Sequence, residues 1–332
     1  MGYLPKKTLE DLEFFEVTEQ IADFAITPMG KASCTALEPL MEQEAMLKEL
    51  HIVSEYLASF DNDNRIPNHG FEDLSPALQL LKIENSVLEI IAFRNIAAAS
   101  QTVNTLLLFF NKFKSYYPSL HLLKGEMVVN KEIKKEIDNV IDRFGEIRDN
   151  ASESLLTLRK QIQAIKGKIA QSFNKALSHC QNLDYLDDIR ESVIENKRVL
   201  AVKAMYRRKV KGGIMGSSKT GSIVFIEPEA TLNFSRELQN LVFEEYEEIK
   251  KILSQLSDYL RPQFDLIEHY QSYLIHIDTV FSRARYAQTI NGLLPIFSDR
   301  QELELINAYH PLLYRSNQLE NKKTYPQDIH LR

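Results

Sequence analysis

The stretch IRDNASESLLTLRKQIQAIKGKIAQSFNKAL (residues 147–177) carries apolar residues at Ile147, Ala151, Leu155, Leu158, Ile162, Ile165, Ile169, Phe173 and Leu177. Steps of four and three persist over about four heptads, the period of an amphipathic helix. A helix with one such seam needs a partner to cover it. The chain supplies one. Leu238, Leu241, Ile249, Ile252, Leu256 and Leu260 repeat the pattern, with Glu245 at the single polar step. The simplest packing sets the two segments side by side and antiparallel. The residues between them then form an insertion at the far end of the pair.

That insertion, about 184–227, is the one region that reads as β. ESVIENKRVLAVKAMYRR (191–208) holds two strands around an Asn-Lys turn, and GSIVFIEP (221–228) is a third strand. Pro228 suits the first turn of a following helix. Between them lies KVKGGIMGSSKTGSIVFIEPE (209–229), with four of the chain's eleven glycines. Its Gly213–Thr220 run is one residue away from the loop that cradles nucleotide phosphates. Such a loop needs glycine directly before the lysine and opens a helix. Here Ser218 precedes Lys219 and a strand follows. A hairpin connection fits better than a nucleotide site.

Charge is the second signal. From Asn196 to Ile226 there is no acidic residue, while Lys197, Arg198, Lys203, Arg207, Arg208, Lys209, Lys211 and Lys219 are basic. The whole chain carries a net charge of −6, so any affinity for a polyanion must come from this local patch. Lysines and serines on glycine-rich loops suit phosphate-backbone contacts, which carry affinity without reading sequence. The expected nucleic-acid-binding residues are those eight with Ser217 and Ser218. The alternative is a solvated hairpin whose charges only aid solubility.

The rest reads as helix: 8–25, 27–40, 41–60, about 84–113 and 271–290, with a turn-rich loop over 61–76. The expected organisation is a helical core (1–145), an ascending helix (146–183), a β-rich insertion (184–228) and a descending helix (229–261). A helical return (262–300) and the start of a further domain (301–332) complete it. The fold class is mainly α with a small β insertion: long antiparallel lever helices with a small mixed β domain at the tip. Cys34 and Cys180 lie far apart with no metal-binding spacing and suit a reducing cytoplasm. The start has no apolar core of a secretory leader, and no apolar run approaches a membrane span. Arg283 and Arg285 suit ion pairs between helices better than catalysis. His276 and Asp278, two residues apart, do not share a helix face. Glu227 is placed to cap a helix or pair with a nearby lysine, and His310-Pro311 suits a structural turn. No catalytic set or metal cluster stands out, so no catalytic or metal residue is assigned.

Residues 199–253 resemble the signature of the MutS family, in its second bacterial branch. The match runs through Val202, Lys203, Tyr206, Arg207, Val210, Gly212 or Gly213, Ser218, Gly221, Phe225, Ile226, Glu227 and Pro228. It departs at Met215 or Gly216, where the family often has histidine, and near Ser222-Ile223. DTVFSRARYA (278–287) and LINAYHPLL (305–313) resemble further family segments. The resemblance implies core, lever and clamp domains, with the ATPase motifs, and often an Smr nuclease domain, beyond Arg332. No cofactor is then expected in these residues, and ATP and Mg in a longer, dimeric parent. The implied partner is DNA, as branched, recombination-intermediate or mismatched structures; rRNA on the ribosome is the alternative within the family. A purely structural dimerisation and protein-interaction module is the alternative outside it.

Overall fold

The computed structural model describes residues 4–298 and 302–331. It is mainly helical with a small β insertion, and it divides into two compact units. One is Met1–Asp138 with Leu256–Arg332; the other is Asn139–Gln255. No helix among the described residues is long and apolar enough to cross a membrane.

The first unit opens with α1 (Lys6–Asp11) and α2 (Phe14–Ala22). The apolar period over 8–25 suggests one helix, but Glu13 adopts a left-handed φ of 52° and splits it. Then come α3 (Pro28–Thr35), α4 (Gln43–Ala58), α5 (Ser75–Leu81), α6 (Ile90–Lys112) and α7 (Pro118–Leu122). The helix expected from residue 84 thus starts six residues later. After α8 (Glu132–Val140), α9 (Glu153–Asn182), the strands β1 (Leu186–Ile194), β2 (Lys197–Lys203), β3 (Gly212–Ser217) and β4 (Ile223–Pro228), and α10 (Glu229–Leu260), the chain returns as α11 (Phe264–Thr289). A two-stranded antiparallel sheet of β5 (Leu303–Ala308) and β6 (Gln327–Leu331) is connected through α12 (Pro311–Leu319). His310 stands at the N-cap position of α12, with Pro311 in its first turn.

Helix α11 is the spine of this unit. It packs on α2, α3, α4 and α6 and buries Ile267, Tyr270, Leu274, Ile277, Val280 and Ala284. Its one fully buried charge, Asp278, fastens the start of α3. The carboxylate accepts from the Ile26 and Thr27 backbone N–H groups at 2.9 Å each and from the Thr27 hydroxyl at 2.7 Å. His69 Nε2 lies 3.1 Å away. Thr27 in turn caps α3 by accepting from the Gly30 N–H. Gly30 has no room for a side chain: a Cβ there would sit 2.0 Å from the Asp278 carboxylate. Arg283, one turn on, reaches Glu49 of α4 at 2.6 Å, the interhelix ion pair expected for it.

In the second unit α9 and α10 lie antiparallel. Ser152 meets Glu248, Arg159 meets Glu245, Lys168 lies over the Phe234 ring, and Ser172 donates to the Ala230 carbonyl. Each step forward on α9 is matched by a step back on α10. The seam read from the sequence is the inward face, with Leu155, Leu158, Ile162, Ile165 and Phe173 buried. Glu245, the polar step, is there to receive Arg159 at 2.8 Å. Helix α9 starts at Glu153, not Ile147: the Ser152 hydroxyl caps it, and Ile147 pairs with Ile141 in an isolated β-bridge.

The sheet sits at the end of this pair, in the order β1-β2-β4-β3, and every pairing is antiparallel rather than mixed. The β1–β2 turn is Glu195-Asn196, both at positive φ, instead of the expected Asn-Lys. Residues 212–217, expected as connection, form the edge strand β3. Leu200, Val202, Val224 and Ile226 form a core with Leu186 and with Phe173 and Cys180 of α9.

Candidate nucleic-acid interface

The strand order dictates an unusual connection. The end of β2 lies opposite Ile223, where β4 starts, while β3 begins opposite Pro228, where β4 ends. Residues 204–211 therefore travel back along the length of the sheet. Ala204, Tyr206 and Val210 pack on the sheet core as they go. The residues between them are turned out: Arg207, Arg208, Lys209 and Lys211 are exposed. The backbone is held throughout. Ala204 N–H donates to the Ser222 carbonyl at 2.8 Å, Lys209 N–H to Tyr206 at 2.8 Å, and Glu229 N–H to Lys211 at 3.0 Å. The Tyr206 ring rests on Tyr185 with centroids 4.9 Å apart. Four cations thus stand on a fixed ridge rather than a floppy loop.

The second basic point is the β3–β4 turn. Ser218 closes it twice, donating its N–H to the Ile223 carbonyl at 2.9 Å and accepting from the Ile223 N–H at 3.1 Å. Gly221, at φ +70°, takes the left-handed position. Lys219 is exposed at the tip and Ser217 is exposed on the edge strand. The run that resembles a nucleotide loop is therefore an edge strand paired with β4 and a tight turn, followed by β4 and not by a helix.

Of the ten residues singled out in the sequence, the eight cations fall into two groups. Lys197 pairs with Glu227 at 3.0 Å, and Glu227 is almost wholly buried. Arg198 pairs with Glu191, donates to Asn174 and lies 4.2 Å over the Phe173 ring. Lys203 contacts both carboxylate oxygens of Asp184 at 3.0 Å, which raises its pKa above the ordinary lysine range. These three are neutralised within the fold. Arg207, Arg208, Lys209, Lys211 and Lys219 are exposed and have no ion-pair partner among the described residues. Ser218 is half-buried and committed to its turn. The pairing of Lys197 with Glu227 was legible as an option; the partners Glu191 and Asp184 lie N-terminal to the acid-free window and were missed.

Comparison with known proteins finds relatives by sequence. A protein of Leuconostoc mesenteroides named Endonuclease MutS2 is 30% identical over 319 residues, 93% of this chain and 39% of its own length. Proteins of the same name from Staphylococcus carnosus and Bacillus velezensis are each 26% identical, over 98% and 96% of this chain. Over nearly its whole length the chain is similar to proteins of the MutS2 branch of the MutS family. It spans about two fifths of the length of these curated relatives, 39–42%. No family model matches the chain. In the MutS2 alignment the matched span takes in the helix pair, the sheet and the basic ridge together, since it covers nearly all of the residues described above.

Proposed function

We propose that the sheet at the end of the helix pair is a clamp that holds DNA by its phosphate backbone, without reading sequence. The observation that carries this is the sorting of charge. Three of the eight cations in the acid-free window are cancelled by acids of the fold, while five stand exposed on a ridge and a hairpin tip. A surface that merely aided solubility has no need of a backbone fastened at both ends. Cations presented on fixed backbone suit repeated phosphates, whose contacts position a protein on nucleic acid regardless of base. The name of the relatives, Endonuclease MutS2, is consistent with work on DNA. In a longer, dimeric protein that binds ATP and Mg, movement of α9 and α10 would carry this clamp toward or away from its substrate.

The test is a gel-shift series on labelled duplex and four-way-junction DNA, comparing wild type with Lys209→Glu, Lys211→Glu and Lys219→Glu combined. The triple variant is expected to lose binding to both DNAs while keeping its circular-dichroism spectrum. Unchanged binding with the fold intact removes the proposal. Including a ribosomal RNA fragment as competitor decides between DNA and RNA as the preferred polyanion.

A second reading has its own observation. Val242, Phe243 and Tyr246 are exposed on the outer side of α10, away from the seam with α9. They suit association of two copies through the levers. Light scattering across a concentration series tests it: a Phe243→Glu, Tyr246→Glu variant that shifts dimer to monomer supports it, and a wild type that stays monomeric removes it.

A further inference from the structure

On the basic ridge one side chain is of the wrong kind. Met205 is 77% exposed, the most exposed large apolar side chain of Asn139–Gln255. Its position is imposed by its neighbours. Ala204 and Tyr206 both pack on the sheet core, so the residue between them is turned outward. It occupies a one-turn 3-10 segment, Ala204–Tyr206. The backbone around that segment is tied on each side: Lys203 N–H to the Tyr185 carbonyl at 2.9 Å, Ala204 N–H to Ser222 at 2.8 Å, and Arg207 N–H to Ala204 at 3.3 Å. Tyr206 is further braced by Tyr185. Arg207, Arg208 and Lys209, the exposed cations, follow immediately.

An apolar tip beside fixed cations has a specific use on DNA. Phosphate contacts bring the ridge against the backbone, and an unbranched, polarisable side chain then meets the bases. On a continuous duplex their faces are covered by stacking. Apolar side chains, methionine among them, serve as wedges between base steps at an unstacking cost, and at a bulge, nick or junction, where a face is already uncovered, most of that cost is absent. We infer that Met205 is such a wedge, and that it gives the clamp a preference for DNA at a break in stacking over continuous duplex. This inference rests on the phosphate-binding reading of the same ridge.

The test measures anisotropy of two labelled DNAs, a continuous duplex and one with a three-nucleotide bulge, at about 50 mM salt, where backbone contacts are strong. A 2-aminopurine beside the bulge reports stacking separately. Wild type is expected to bind the bulged DNA about fivefold more tightly, within the range of what a methionine sulfur gains against an aromatic face. Met205→Ala should bring the two affinities within about twofold of each other by weakening only the bulged complex. Met205→Leu should keep the preference. The 2-aminopurine signal should change with wild type and Met205→Leu and stay flat with Met205→Ala. If Met205→Ala keeps the full preference, or wild type shows none, the wedge is overturned. The ridge itself then stands if Arg207→Glu with Lys209→Glu loses both DNAs. If wild type binds neither DNA, the wedge and the clamp reading fall together.

Discussion

Replacing Asp278 by alanine should cost the first unit about 4 kcal/mol, more than any other single truncation of a polar side chain in it. The side chain is fully buried and serves four donors: the Ile26 and Thr27 N–H groups, the Thr27 hydroxyl and His69. Removing it leaves those donors without an acceptor in the core. Each buried donor so stranded costs roughly 1–3 kcal/mol, and breaking a buried charged contact costs roughly 3–5 kcal/mol. The costs do not add in full, because Thr27 can still cap Gly30 and the α3 terminus can relax. About 4 kcal/mol is a large part of the 5–15 kcal/mol that holds a typical domain together. The chain has no tryptophan, so urea unfolding is best followed by far-ultraviolet circular dichroism. With a urea slope near 2 kcal/mol/M, the midpoint of the first unit should fall by about 2 M. Asp278→Asn keeps the shape and an acceptor oxygen and should fall by about half as much. The effect is pH-dependent. Burial pushes the Asp278 pKa up, but hydrogen bonds from His69, Ile26 and Thr27 outweigh it and hold the pKa below the usual aspartate value. The stabilisation is therefore complete above the ordinary aspartate range and lost as pH falls through the lowered folded value. A midpoint shift below about 0.5 M for Asp278→Ala would refute the fastening described for α3.

Two further expectations concern other parts of the fold. Glu49, drawn down by His276 and by the closer Arg283, has its pKa lowered from 4.5 to about 2. Glu49→Gln should lose roughly 1–3 kcal/mol at pH 7, and the gap to wild type should close between pH 4.5 and 2 as the carboxylate protonates; a gap constant with pH contradicts this. Gly212→Ala should destabilise the sheet by at least about 2 kcal/mol, because the new Cβ would lie 2.1 Å from the Glu227 carbonyl oxygen. Faster amide exchange across β3 and β4 checks it, and unchanged exchange counts against it.

The helix pair was legible in the sequence because its seam repeats long enough to fix a period, and even its flaw at Glu245 had a physical meaning in Arg159. Other features were hidden for identifiable reasons. Strand β3, GGIMGS, shows no apolar alternation, so glycine made an edge strand look like loop. The break at Glu13 is unmarked because a glutamate, not a glycine, takes the left-handed position. The Asp278 fastening joins residues 27, 69 and 278, and no local pattern announces contacts across such distances. On the basic patch, charge counted along the chain marks an acid-free segment but not which of its cations are paired within the fold. Glu227 and Asp184 sit outside the window in sequence and against it in space.

The salt dependence of DNA binding tests the clamp most directly. Each neutralised phosphate contributes about 0.9 to the slope of log affinity against log salt. Five unpaired cations on the ridge and hairpin tip predict a slope near −4 to −5 for wild type. Alanine at Arg207, Arg208, Lys209 and Lys211 leaves Lys219 alone and should bring the slope to about −1. Alanine at Lys203, which is already held by Asp184, should leave the slope where it was. If the four-fold variant keeps the wild-type slope, or wild type shows none, this surface does not hold a phosphate backbone.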